Sequence, residues 1–310
     1  AKVVEELLAT GNYRVTIIDK FLFDPNSLNV FSKNENLKII NCDIREIDKF
    51  KDELKGTNTL IHLAALVGEK ACNVSESDTQ SINFDATINL IKNCVEYNVK
   101  KFIFMSTASS YGVQDISQIA NEQTKLNPVS LYARTKIDCE KKILDTYSDK
   151  IEITVFRPST VYGDSQRMRF DLILNHLVLD AIQKKEIVVF GPKMVRPLMW
   201  VGEPARVYKI IVDESTDKFK SEIFNLGYEN ENYEKFEIAN LIQKNYFKDI
   251  DIQIVDKDPD LRSYRLSFEK MKNFFKLEPK SNILNEAKIM IEKLNSNSYG
   301  DIKAKIFYNA

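Results

Sequence analysis

Apolar residues follow two rhythms along this chain. Over the first half, short apolar runs of strand length alternate with stretches whose apolar positions recur at helical spacing. The runs at residues 13–18, 37–40, 59–63, 101–105 and 151–156 predict strands. The periodic stretches at 3–8, 81–97 and 131–147 predict helices, with Ile82, Ala86, Leu90, Ile91 and Val95 marking the inner face of the second. Strands that are almost wholly apolar, separated by helices, predict a parallel sheet covered on both faces, a doubly wound α/β fold. Ligands of such sheets bind beyond the carboxyl ends of the strands. There the chain places Asp19, Asp43, Ala64, Ala65 and Thr107, a concentration of small and polar residues. After Gly163 the rhythm loosens. Helices are expected over 168–184, 203–212, 236–246 and 283–294, with strands at 187–190 and 223–226, which reads as a smaller α+β lobe woven with returning pieces of the sheet.

Composition narrows the function classes. The chain has 310 residues, 44% of them hydrophobic, and 44 basic residues against 45 acidic ones. Its length suits one large or two small domains with a substantial core. The balanced charge offers neither a nucleic-acid footprint nor a polybasic membrane patch. The apolar run at 60–67 is far below the roughly 20 residues of a membrane span, and the first residues lack a signal-peptide pattern. Cys42, Cys72, Cys94 and Cys139 are scattered, and with only His62 and His176 beside them no zinc-ligand spacing exists, so no metal site is expected. Reduced, mostly packing cysteines in a cytoplasmic protein are the simplest expectation. His62 and His176 are expected to be structural.

Three features carry candidate chemistry. Asp19 closes the strand that follows the first helix. It is either a turn residue or the carboxylate that accepts the adenosine ribose hydroxyls and repels a 2′-phosphate. Asp43, in the segment NCDI, is either a turn residue or an acceptor for the adenine amino group. Tyr132 and Lys136 share one helix face. A phenol is a poor base near neutrality, but an adjacent ammonium and a cationic nicotinamide ring would favour phenolate. Such a phenol could take a proton from a sugar hydroxyl as hydride leaves the carbon. Alone, this pair is commonly a surface coincidence.

Its context is more specific. The segments HLAALVG (62–68), INFDAT (82–87), KKFIFMSTASSYG (100–112), NPVSLYARTK (127–136), FRPSTVYG (156–163) and RPLMWV (196–201) resemble, in this order, the extended short-chain dehydrogenase/reductases that act on nucleotide sugars. Among these the chain is most similar to the UDP-glucose 4-epimerase-type enzymes. The resemblance implies a Rossmann-like NAD-binding domain over 1–162 and 203–230 and a nucleotide-sugar-binding lobe over 163–202 and 231–310. It implies a catalytic set of Tyr132, Lys136 and Thr107. Cofactor contacts would come from Asp19, Asp43, Ile44, Leu63, Ala64, Ala65, Asn83, Tyr132, Lys136 and Pro158. Substrate contacts would come from Val67, Thr107, Ser109, Thr160, Asn175, Phe190, Arg196 and Arg262, the two arginines toward the diphosphate. Asn83 would brace the loop bearing Thr107. NAD is the implied cofactor, and helices 81–97 and 131–147 would pair across a homodimer. Surface polysaccharide is the usual destination of such products. A dinucleotide fold also needs a strand and glycine loop ahead of its first helix. Because the chain opens on that helix, roughly a dozen preceding residues are expected in the natural protein, the alternative being a chain inactive without them.

Two departures from the family pattern matter. Ala108 and Ser109 stand where the C4–C6 dehydratases keep an acid and a base, which disfavours elimination. Trp200 replaces a usual His. The expected reaction is therefore inversion at C4 through a 4-keto sugar. The rivals are a C4 dehydrogenase or 4-keto reductase acting on a GDP- or CDP-sugar, and a non-catalytic sugar-nucleotide-binding protein.

Overall fold

The computed structural model describes residues 1–214, 217–258 and 260–309. In the first half, α1 (Lys2–Leu8) leads to β1 (Val15–Asp19), β2 (Leu37–Asn41) and β3 (Thr59–His62). Then come α2 (Glu69–Val74), α3 (Glu76–Thr79), α4 (Ala86–Glu96), β4 (Lys101–Met105), β5 (Ile119–Ala120), α5 (Leu131–Tyr147), β6 (Glu152–Pro158) and β7 (Thr160–Tyr162). The second half holds α6 (Ile173–Gln183), β8 (Ile187–Phe190), β9 (Val195–Trp200), α7 (Glu203–Asp213), β10 (Glu222–Leu226), β11 (Asn232–Glu234), α8 (Lys235–Tyr246), β12 (Ile252–Val255), β13 (Arg265–Leu266), α9 (Glu269–Phe275) and α10 (Ile283–Asn295).

Four of these strands form an all-parallel sheet in the order β10-β6-β4-β3, and β1 and β2 form a separate parallel pair. Successive residues of a strand point to opposite faces, and here both faces are packed. On one side Phe102 and Phe104 of β4 and Ile153 and Val155 of β6 join Leu90, Ile91 and Cys94 of α4 and Cys139 and Ile143 of α5. On the other, Ile103 and Phe156 meet Val207, Tyr208 and Ile211 of α7, Phe224 and Leu226 of β10 and Met271 and Phe275 of α9. This is the doubly wound arrangement that the apolar strands predict. A third core gathers α6, α8 and α10 around β8, with Phe170 and Phe307 closing it.

Several elements depart from the pattern reading. The expected helix over 81–97 is interrupted: Gln80–Asp85 form a π-helical turn before α4 begins. That turn aims Asn83 inward at the loop after β3, so a tertiary contact overrides the regular period. The helix expected from 168 begins only at Ile173, because the preceding residues are held by the far end of the chain: Phe170 N–H donates to the Phe307 carbonyl at 3.1 Å. Strands β9 and β12 and helix α9 were not anticipated. β9 lies between parallel β7 and antiparallel β11, and β12 lies beside β8. Their apolar runs are short or interrupted by Arg196 and Pro197, so their pairing partners define them. All four cysteines are free and buried. No helix among the described residues is long and apolar enough to cross a membrane.

Phe156 lies at the centre of the second core, fully buried, with ring centroids of Tyr208, Phe224 and Phe275 at 5.5, 5.7 and 6.1 Å. Phe156→Ala should cost about 3–5 kcal/mol, read as a lower urea midpoint with an unchanged slope.

Candidate active site

α5 presents the catalytic candidates. Its N-cap is Ser130, whose Oγ accepts the Ala133 N–H at 3.2 Å, so the helix starts just before Tyr132. Tyr132 and Lys136 both lie on its buried face. Lys136 Nζ donates to the Met105 carbonyl at the end of β4, at 2.9 Å, and sits 4.8 Å from the Phe104 ring centroid. Two residues beyond Met105, Thr107 caps a short 3-10 turn by accepting the Ser109 N–H at 3.1 Å. The turn ends at Gly112, with φ of 65°, where a Cβ would stand 1.7 Å from the Asn127 carbonyl oxygen; glycine alone fits there. The Thr107 side chain also lies close enough to the Tyr132 hydroxyl to favour its ionised form.

Burial dominates the electrostatics. The Tyr132 phenol is pushed up to about 12 by desolvation, against which the nearby Thr107 hydroxyl and the cations Arg169 and Arg262 pull down. The expectation that Lys136 acidifies this phenol is not what the geometry gives. The ammonium is turned to Met105, and burial lowers its own pKa to about 8. His62 is packed between the Phe102 and Phe104 rings, bonds the Thr87 hydroxyl at 2.8 Å, and is lowered to about 3 by burial and Lys136. It is a neutral strand residue, as its sequence context suggests. His176 lies on α6, 3.4 Å from Asp180.

A cleft of about 360 Å³ opens at the carboxyl ends of β1, β2 and β3. Of the residues singled out in the sequence, Asp19, Asp43, Ile44, Leu63, Ala64, Ala65 and Val67 line it together. One Asp19 oxygen accepts the Phe21 N–H at 2.7 Å, so the turn role is present in this structure. Asp43 is engaged on both oxygens, by Arg45 and by Lys20 at 2.9 Å, and these partners hold its carboxyl well below the usual range. The tiny side chains of Ala64 and Ala65 and the carboxylate at the end of β1 suit a flat dinucleotide with a ribose diol.

Asn83 requires a correction. Its amide donates to the Leu66 carbonyl at 2.9 Å and accepts the Leu66 N–H at 2.8 Å, so it braces the cleft loop after β3 and not the loop bearing Thr107. Asn175 is similarly occupied by backbone: it accepts from Gly163 N–H and donates to the Arg169 carbonyl. The structure does gather Thr107, Ser109, Arg262 and Arg196. Arg262 donates to the Ser109 hydroxyl at 2.6 Å and forks onto Asp260, which also pairs with Arg196 at 3.1 Å. Arg196 further donates to the Arg262 carbonyl. Pro158 ends β6 beside Leu226, and Thr160 opens β7 beside Leu198. Phe190 lies at the end of β8 and is 47% exposed.

Sequence reasoning missed Asp260, Arg167, Arg169, Phe23 and Asn309. Arg167 packs 4.3 Å from the Phe23 ring centroid and donates to Asn309, whose amide reaches the Val67 carbonyl; all line the cleft. The two arginines follow the YG of FRPSTVYG closely, a readable signal. Asn309 carries none, because only folding returns the end of the chain to the cleft. Among the described residues no cluster of His, Cys, Asp or Glu is placed to hold a metal ion.

This parallel sheet, packed on both faces and with a cleft at its strand ends, defines a Rossmann-like α/β fold. The chain belongs to the NAD dependent epimerase/dehydratase family, whose model matches residues 1–227, and NAD is the cofactor of that family. The chain is 29% identical over 202 residues to the uncharacterized UDP-glucose epimerase YtcB of Bacillus subtilis (strain 168), covering 60% of each. It is 26% identical over 251 residues to a dTDP-D-glucose 4,6-dehydratase of Dictyostelium discoideum, covering 74% of this chain and 54% of that protein. The matches thus span between half and two thirds of these relatives' own lengths. Among solved structures, UDP-glucuronic acid 4-epimerase from Bacillus cereus, in complex with UDP-glucuronic acid and NAD, superposes with a TM-score of 0.83 at 21% identity over 95% of each chain.

The neutral state of His62 makes a stability prediction. Its folded pKa lies below the unfolded 6.5, so its contribution is complete above pH 6.5 and lost as pH falls toward 3, while the unfolded chain takes up the proton. Thermal unfolding between about pH 7 and about pH 5 should show a smaller pH slope in His62→Gln than in the unsubstituted protein.

Proposed function

We propose that this protein interconverts the C4 epimers of a nucleotide sugar through a transient 4-keto sugar. The observation that carries the reading is the burial of Tyr132 near Thr107 on the helix face that also holds Lys136, together with a cleft suited to NAD at the carboxyl ends of β1, β2 and β3. Asp19, Ile44, Leu63, Ala64, Ala65, Lys136 and Pro158 would hold that cofactor. Bound NAD supplies the hydride acceptor and donor, together with a positive ring near the phenol.

Tyr132 removes the proton from the C4 hydroxyl and gives a proton back to the C4 oxygen once the 4-keto sugar has turned its opposite face to the hydride donor. Thr107 holds that hydroxyl and shares the proton path. Because burial holds the phenol protonated at neutral pH, nearby positive charge has to favour its ionisation, and Arg169 and Arg262 already act in that sense. Lys136 contributes orientation and charge. Arg196 and Arg262, anchored on Asp260, offer planar donors to a diphosphate. Ala108 and Ser109 leave no acid or base beside Thr107 for elimination of a C6 hydroxyl, which favours epimerisation over dehydration. We include a homodimer in the proposal, built on α4 and α5, whose outer faces carry Lys92, Glu96, Asp138 and Lys142.

The test is incubation with UDP-, GDP-, CDP- and dTDP-sugars, with C4 epimers as the readout. Interconversion without stoichiometric change in nicotinamide absorbance supports the proposal, and a stoichiometric change would turn it into a C4 dehydrogenase or reductase. Tyr132→Phe should lower turnover by roughly 10²–10⁴-fold; unchanged turnover would refute the assignment. Since the Lys136 ammonium has to stay charged, turnover should fall as pH rises through about 8, and Lys136→Met should abolish that limb along with most activity.

A further inference from the structure

On the same face of α5, one turn beyond Lys136, lies an ionisable residue that the proposed reaction does not use. Tyr132, Lys136 and Glu140 follow each other at spacings of four, and Glu140 is only 3% exposed. Its Oε1 accepts the Ser106 hydroxyl and Arg157 Nε, the latter at 3.1 Å. Its Oε2 accepts Nε at 3.1 Å and a terminal nitrogen of Arg157 at 2.6 Å. Arg157, on β6 just before Pro158, also donates to the Tyr111 hydroxyl and the Glu122 carbonyl, both at 3.2 Å. The Tyr111 hydroxyl in turn donates to Asn225 on β10 at 2.7 Å.

α5 is therefore joined to the end of β4 by two consecutive rungs. Lys136 bonds the Met105 carbonyl, and Glu140 bonds the Ser106 side chain. Thr107 is the next residue. Any slide or rotation of the helix along the strand would carry Tyr132 away from Thr107, and it would strip a buried carboxylate of its donors at high cost. The network thus makes the register discrete.

We propose that Glu140, clamped by Arg157 and Ser106, is a positioning residue that sets the register of α5 on β4 and with it the mutual placement of Tyr132, Thr107 and Lys136. The use made of that placement rests on the reaction proposed above. Glu140 has an electrostatic effect as well. The groups facing Lys136 are Cys139, Cys72, Glu140 and His62, and of these Glu140 supplies the carboxylate that favours the charged amine. Those facing Tyr132 are Thr107, Cys72, Arg169 and Arg262.

Glu140→Gln and Ser106→Ala test this with two readouts. One is kcat and KM for C4 interconversion against pH. The other needs no substrate: titration of the Lys136 side-chain carbon resonance in lysine-labelled protein, assigned with Lys136→Met. Glu140→Gln, folded by circular dichroism, should lower kcat roughly tenfold to a hundredfold with KM within about threefold. The Lys136 titration and the alkaline limb should both move to lower pH, since a negative charge is gone while Arg157 remains. Ser106→Ala should lower kcat in the same sense and leave the Lys136 titration in place. A folded Glu140→Gln protein with unchanged kcat and titration overturns the proposal. Should Glu140→Gln fail to fold, Ser106→Ala decides: lowered kcat supports the proposal and wild-type kcat overturns it. If the unsubstituted protein interconverts no C4 epimers, the reaction assignment fails by itself, and an unmoved Lys136 titration in Glu140→Gln would then separately overturn the role given to Glu140.

Discussion

The contact on which the site depends is the one between helix α5 and the end of strand β4, where the buried ammonium of Lys136 meets the Met105 carbonyl. A cation is held away from water only if its donors are matched, so this bond specifies where the helix lies along the strand. Tyr132, one turn earlier on the same face, is thereby set against Thr107, two residues past Met105. The parallel sheet is the frame for this contact. Its two packed faces fix β4 and β6, and the loops at their carboxyl ends inherit that rigidity.

Burial gives the site its electrostatic character. It raises the Tyr132 phenol to about 12 and lowers the Lys136 amine to about 8, so each is held toward its neutral form. Burial thus moves the two pKa values apart, and both groups respond strongly to any charge that enters. Arg169 and Arg262 act in the direction of phenolate. Asp260, which holds Arg196 and Arg262 side by side, keeps two like charges close at modest electrostatic cost.

Much of the architecture was legible in the chain. The strands at 37–40, 59–63 and 101–105 and the helix at 131–147 follow directly from apolar period and length, and at 101–105 burial on both faces leaves nearly no polar position to conceal the strand. The π-helical turn at 80–85 was not legible: its cause is Asn83 reaching Leu66, a contact 17 residues away. Nor were β9 and β12, whose residues become strands by pairing with β7, β11 and β8. At the site, the alternation of small and polar residues at strand ends located the cleft wall from Asp19 to Val67. The residues that close it from the other side, Arg167, Arg169 and Asn309, come from segments with no periodicity.

By itself the sequence determined the fold class, the order of the central elements, and the helix face on which Tyr132 and Lys136 lie, since these rest on local spacing and on which residues avoid water. The tertiary structure decided what each polar group bonds: Lys136 with Met105 and not with the phenol, Asn83 with Leu66, Asp43 with Arg45 and Lys20, and two arginines on one aspartate. Apart from the local Asp43–Arg45 and Asp260–Arg262 pairs, those choices depend on distances between segments far apart in the chain and on the tendency of buried polar atoms to find partners, which no local pattern encodes.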